Sequence, residues 1–189
     1  IVLFKESAKL DYSPAQIELG KIYSDRIGPD ENKHLALYYY SQAAAQGDPR
    51  GIMGVGECYF WGFGLDKSYE TAMKWYQRAA DIDHPEAYAA IGHMYYIGYG
   101  VEINISEYIR LTLKAANLGV GKAQVRIGYA YESGEGVEQD IQYALYWYRL
   151  ALKKNDRGAL STFGRLHAEG KILTLNIDKA IEYYKKAAA

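Results

Sequence analysis

Cysteine is almost absent from the chain: Cys58 is the only one in 189 residues. A lone cysteine closes no intrachain disulfide and builds no thiolate zinc site, so neither staple holds this fold. It leaves the redox compartment undetermined. An excess of charge is also missing, with 22 Lys plus Arg against 23 Asp plus Glu and a net charge of −1. Such a chain has no basic field for phosphates, which argues against a nucleic acid partner. No stretch approaches the ~18 uninterrupted apolar residues of a membrane span, so no insertion into a bilayer is expected. Residues Ile1 to Lys9 lack a basic n-region and a cleavage site and read as helix, not as a signal peptide. Disorder is excluded by a hydrophobic content of 49%.

What the chain does have is a period. Gly20, Gly56, Gly92, Gly128 and Gly164 are separated by 36 residues at every step. The same step joins Tyr23, Tyr59, Tyr95, Tyr131 and His167, and it joins Ala43, Ala79, Ala115, Ala151 and Ala187. The column Leu19, Val55, Ile91, Ile127 and Phe163 is apolar throughout. Self-similarity in one register without insertion is the signature of a stacked repeat array.

Each unit holds two apolar-periodic stretches. In the first, Ala87, Ile91, Met94 and Tyr95 fall on one face of a helix. In the second, Ala72, Trp75, Tyr76, Ala79 and Ala80 do the same. Gly62-Phe63-Gly64, Gly98-Tyr99-Gly100 and Gly134-Glu135-Gly136 follow the first helices, where glycine suits a left-handed C-terminal cap. Pro49, Pro85 and the Ser13-Pro14 pair mark helix starts. A glycine inside a helix costs about 1 kcal/mol relative to alanine, so its recurrence predicts a close helix contact. The paired alanines of the second helix are the expected partner surface, with Trp75 and Tyr76 filling the space between units.

The pattern Ala87…Ile91-Gly92…Tyr95…Gly98-Tyr99-Gly100-Val101, with Ala72…Trp75-Tyr76…Ala79-Ala80, resembles the Sel-one-like repeat (SLR), a relative of the tetratricopeptide repeat. The resemblance covers about residues 13 to 189. It implies an all-α fold, a right-handed superhelix of antiparallel helix pairs, and the role of an adaptor in protein complexes. It leaves localisation open, since such proteins occur in the endoplasmic reticulum, the bacterial envelope, host-interaction settings and the cytoplasm. The repeats are placed at 13–48, 49–84, 85–120, 121–156 and 157–189, as one continuous solenoid. Residues 1–12 are placed as the second helix of a preceding repeat, because Leu3, Phe4, Ser7 and Ala8 share the register of Tyr39, Tyr40, Ala43 and Ala44. Both ends read as cuts within a longer array. Departures occur at Arg26-Ile27-Gly28-Pro29, at Tyr108, Leu111 and Thr112, and at His167 and Ile172.

No catalytic constellation emerges, so no enzyme activity, cofactor or metal is expected. His34, His84, His93 and His167 have no helical ligand spacing among them and read as surface or packing residues. Cys58 shares a core column with Ile22, Met94, Ala130 and Leu166 and reads as a small buried hydrophobe. The Gly-x-Gly triplets follow helices and lack the Gly-Lys-Ser/Thr of a phosphate loop.

In helix-pair solenoids the first helices line the concave surface. Their outward columns are Lys21, Glu57, His93, Tyr129 and Arg165, then Ser24, Phe60, Tyr96, Glu132 and Ala168. A third holds Asp25, Trp61, Ile97, Ser133 and Glu169. The expected partner site is a groove over the second to fourth repeats, formed by Phe60, Trp61, His93, Tyr96, Tyr129 and Glu132. Phe60 and Tyr96 are its expected anchors, since aromatic residues dominate binding hot spots. The alternative is a structural module that self-associates, as a homo-oligomer or within a longer array.

Overall fold

The structure is a computed structural model and describes residues 2–24 and 33–188. The Arg26-Ile27-Gly28-Pro29 turn lies outside the described residues. Among the described residues there are eleven α-helices and no strands. They are α1 (Val2–Lys9), α2 (Ser13–Ser24), α3 (Lys33–Ala45), α4 (Pro49–Trp61), α5 (Tyr69–Ala80) and α6 (Pro85–Ile97). Then follow α7 (Ile105–Asn117), α8 (Gly121–Ser133), α9 (Ile141–Leu152), α10 (Arg157–Glu169) and α11 (Ile177–Ala188). The chain forms two compact units, Ile1–Ile103 and Asn104–Ala189. In the first, each helix from α1 to α6 packs on its neighbour in sequence. In the second, α7 to α11 do likewise.

The helix boundaries follow from capping chemistry. Asp48 caps α4 by accepting from the Arg50 amide, with Pro49 at a position whose amide has no helical partner. Ser68, Asn104 and Asp140 cap α5, α7 and α9 by accepting from the amide three residues on. At the other end, Gly62, Gly98, Gly134 and Gly170 terminate the first helices with φ of 77°, 83°, 77° and 66°. The second glycine of a turn has a separate task. A β-carbon on Gly100 would fall 2.9 Å from the Glu70 amide nitrogen and from the Tyr69 carbonyl carbon. The turn after α6 therefore rests directly on the start of α5. In the fifth repeat the turn carries Ile172, which packs against the cluster of Ala144, Leu145 and Tyr148.

The recurring helical glycine does not face the alanine pair. A β-carbon on Gly56 would lie 2.6 Å from Cε1 of Tyr76, and one on Gly20 would lie 2.5 Å from Cε1 of Tyr40. In four repeats the glycine makes room for the tyrosine ring of its own hairpin, as Gly128 does for Tyr148 and Gly164 for Tyr184; the third repeat has Thr112 in the tyrosine register. The expected glycine–alanine contact is corrected accordingly. The alanine pair meets another small residue, one repeat further on: a β-carbon on Gly51 would fall 2.7 Å from Cβ of Ala43. Ala15, Ala87, Ala123 and Ala159 share the Gly51 register and are buried.

In the first, third and fourth repeats a donor stands next to that small residue. Gln16 Nε2 donates to the Ala8 carbonyl at 3.3 Å, Tyr88 Oη to Ala80 at 2.8 Å and Gln124 Nε2 to Ala116 at 3.1 Å. These acceptors are last-turn carbonyls that also accept a turn amide, from Asp11, Asp83 and Gly119. Every such bond joins the end of a second helix to the start of the next hairpin and so helps to fix the stacking. The apolar column Leu19, Val55, Ile91, Ile127 and Phe163 is buried in full. Cys58 is buried within this packing, and burial pushes its thiol up to about 12. Ile22, in the same register, is exposed instead.

Candidate functional site

Four of the six expected contact residues belong to the first unit and two to the second. In the first, Phe60 is 8% exposed. Its ring meets Trp61 at 4.8 Å, Tyr69 at 5.2 Å and Tyr99 at 5.6 Å between centroids. Tyr69 and Tyr99 stack at 4.4 Å. The Gly98-Tyr99-Gly100 turn, seated on α5, carries the Tyr99 ring across Phe60. The expected anchor is thereby taken up in packing between hairpins. Trp61, one residue on, remains 43% exposed. His93 and Tyr96 are half-buried on α6.

In the second unit the structure gathers Tyr129 and Glu132 around a residue one repeat away. Arg165 Nη2 donates to Glu132 Oε2 at 2.8 Å, and the same oxygen accepts from Tyr148 Oη at 2.6 Å. The Arg165 guanidinium lies over the Tyr129 ring at 5.3 Å, and its Nη1 approaches Glu169 at 3.3 Å. Tyr129 Oη and Thr162 Oγ1 are 3.2 Å apart. Burial opposes charge on Arg165, but the bond and attraction from Glu132 outweigh it and raise the guanidinium above its ordinary value. Burial, then donation to Glu132, likewise raises the Tyr148 phenol. Arg165 is thus a permanent cation placed over an aromatic ring. Tyr129 keeps 42% of its surface exposed beside it.

Tyr148 is a buried residue of the repeat pattern, and nothing in the sequence marks it as a partner of Glu132. The register did place Arg165 in the Tyr129 column, but not over its ring. His167 stacks on Tyr183 at 5.9 Å and its Nδ1 lies 3.1 Å from the Thr174 carbonyl, a packing role. Among the described residues no three His, Cys, Asp or Glu side chains converge on a metal position. No described helix is long and apolar enough to cross a membrane.

Hairpins of one length, closed by glycine caps and stacked through small residues, define a helical-repeat solenoid. Five segments match the Sel1 repeat model, at residues 13–48, 49–84, 85–120, 121–156 and 160–189. This chain belongs to the Sel1 repeat family, whose members generally form protein-interaction scaffolds. It is similar to a Sel1 repeat protein from Oxalobacter formigenes, with 31% identity and a TM-score of 0.81 over 98% of this chain and 76% of that one. It is also similar to a protective antigen of uropathogenic Escherichia coli strains with an SLR fold. There the identity is 28% and the TM-score 0.73, over 98% of this chain and 40% of that one. An immunity protein of Pseudomonas aeruginosa shares the fold, at 20% identity and a TM-score of 0.71, over 93% of this chain and 64% of that one. No significant match was found among curated proteins.

Proposed function

We propose that this chain is a non-catalytic scaffold that binds another protein through the outward positions of its first helices. Trp61, His93 and Tyr96 carry the contact in the first unit, and Tyr129 and Glu132 in the second. The observation that supports this most is the exposure of Trp61 and Tyr129, at 43% and 42%, on helices whose inward columns are filled by smaller residues. A large exposed ring lends contact area with little loss of conformational freedom, and such rings dominate interface energies. The column Lys21, Glu57, His93, Tyr129 and Arg165 mixes basic, acidic, imidazole and phenol groups, while the column Leu19, Val55, Ile91, Ile127 and Phe163 stays apolar. That is what a surface read by a partner requires.

The test is affinity measured against a captured protein partner. Trp61→Ala and Tyr129→Ala should each weaken binding by about 1–3 kcal/mol. Unaltered affinity in the folded double variant overturns the reading.

A further inference from the structure

Positions 143 and 146 depart from their columns on the outward side of α9. The register gives Leu35, Thr71, Glu107 and Lys179 at the first and Tyr38, Lys74, Arg110 and Glu182 at the second. Charged side chains stand there in the third and fifth repeats, so the packing of a repeat does not call for a ring. In the fourth repeat both positions are aromatic, and Tyr143 and Tyr146 stay 38% and 48% exposed. Their rings are parallel to within 2°, with centroids 5.6 Å apart. Buried Trp147 meets both edge-on, at 5.8 and 5.3 Å, and Tyr131 meets Tyr143 edge-on at 4.6 Å. Held in this way, the two rings form a platform with little rotamer freedom left to lose on binding.

The same repeat changes the charge beside that platform. Asp140 caps α9 with Oδ1 at 2.9 Å from the Tyr143 amide, where the other repeats have the neutral Asn32, Ser68, Asn104 and Asn176. Glu135 stands where the others have Ile27, Phe63, Tyr99 and Lys171. No Lys, Arg or His occurs between Arg126 and Arg149. Glu132 in this stretch is committed to Arg165. Glu135, Glu138 and Asp140 enter no ion pair among the described residues. Asp140 lies close enough to the rings to act on the Tyr131 phenol, which burial first, then Tyr143 and Asp140, raise above its ordinary value. Arg149, one turn beyond Tyr146, bounds the negative region at its far end. A cation over these rings gains from the ring quadrupole and from the carboxylates together, whereas an anion is repelled by both.

We propose that the outward face of α9, at Tyr143, Tyr146 and Asp140, is a second docking surface whose occupant is an arginine-bearing segment of a partner polypeptide. Arginine fits better than lysine, because a planar guanidinium stacks on a ring while its edge turns to a carboxylate. The surface belongs to a second helix and does not depend on the first-helix columns of the scaffold reading.

The experiment is an NMR titration of the intact chain with capped triarginine, compared with capped trilysine and triglutamate. The Trp147 indole N–H and the amides of α9 should shift and saturate with triarginine. Trilysine should bind about threefold more weakly, for want of ring stacking, and triglutamate should leave these resonances still. Tyr143→Thr combined with Tyr146→Lys installs the side-chain types that the second repeat carries at Thr71 and Lys74, so the fold accommodates both. It should weaken triarginine about tenfold, through two lost cation–π contacts and an added like charge. Asp140→Asn keeps a cap of the kind Asn104 provides and should weaken triarginine about threefold. Equal binding of trilysine or triglutamate, no saturation at millimolar concentration, or unaltered affinity in the double ring variant overturns the proposal. Trp61→Ala combined with Tyr129→Ala, which tests the first-helix surface, should bind triarginine as the unaltered chain does; a loss there moves the site off α9. If that variant keeps its partner while triarginine titrates α9, the scaffold reading fails and this surface stands. The reverse pattern rejects this surface alone.

Discussion

Gly128 and Tyr148 meet across one hairpin so closely that a β-carbon on the glycine would lie 2.6 Å from Cδ1 of the ring. Tyr148 is 1% exposed and cannot swing into solvent. Gly128→Ala should therefore destabilise by about 1–3 kcal/mol through overpacking, despite the better helix propensity of alanine. Urea denaturation measures this. Unchanged stability would show that the ring relocates at no cost.

The Glu132 carboxylate accepts from both Tyr148 and Arg165, whose side chain is only 28% exposed. Removing the charge leaves a half-buried cation with only the weaker contact to Glu169. Glu132→Gln should lower stability by about 1–3 kcal/mol, and Tyr148→Phe by about 0.5–1.5 kcal/mol. A double-mutant cycle with Arg165→Met should show coupling, since the groups share one oxygen.

Asp48, the cap of α4, makes an acid-dependent contribution to stability. The Arg50 guanidinium, joined by the Ser13 hydroxyl and the Arg50 amide, outweighs burial and holds its carboxyl at about 2, against an ordinary 3.8. A depressed carboxyl favours the folded state above the unfolded value and loses that advantage as pH falls through the folded one. The stability present above about pH 4 should thus decline towards pH 2, by about 1–2 kcal/mol once solvent screening of Arg50 is allowed for. In Asp48→Asn this portion of the acid sensitivity should vanish from the denaturation midpoints.

Phe60 and Trp61 are neighbours with opposite duties. Phe60→Ala should cost about 3–5 kcal/mol of stability, because it empties the centre of a ring cluster. Trp61→Ala should cost well under half of that and reduce partner affinity instead. Thermal melting and titration calorimetry on the two variants separate the roles. A Trp61 variant that loses as much stability as the Phe60 variant would place the indole in the core.

The architecture was legible because the physics that sets it is local. Helix starts and stops are written in Asp48-Pro49 and in Gly98-Tyr99-Gly100, residues that act within a turn of themselves. The 36-residue step of Gly20, Gly56, Gly92, Gly128 and Gly164 then forces equivalent hairpins into one register. Periodicity reports which positions correspond, and so it marked the apolar packing column of Leu19, Val55, Ile91, Ile127 and Phe163.

It does not report what lies opposite. The helical glycine proved to face a tyrosine ring and not the alanine pair, because the approach of two helices depends on their rotation, which the period leaves free. Phe60 and Trp61 occupy adjacent outward columns, yet the turn bearing Tyr99 covers one and spares the other. Glu132 and Arg165 stand 33 residues apart and meet at 2.8 Å only when α8 and α10 lie side by side. The sequence alone settled the repeat, its helices and its caps, since those follow from short-range backbone chemistry. Tertiary structure decided which rings are spent on packing and which charges pair, since those depend on distances between hairpins that no single hairpin encodes.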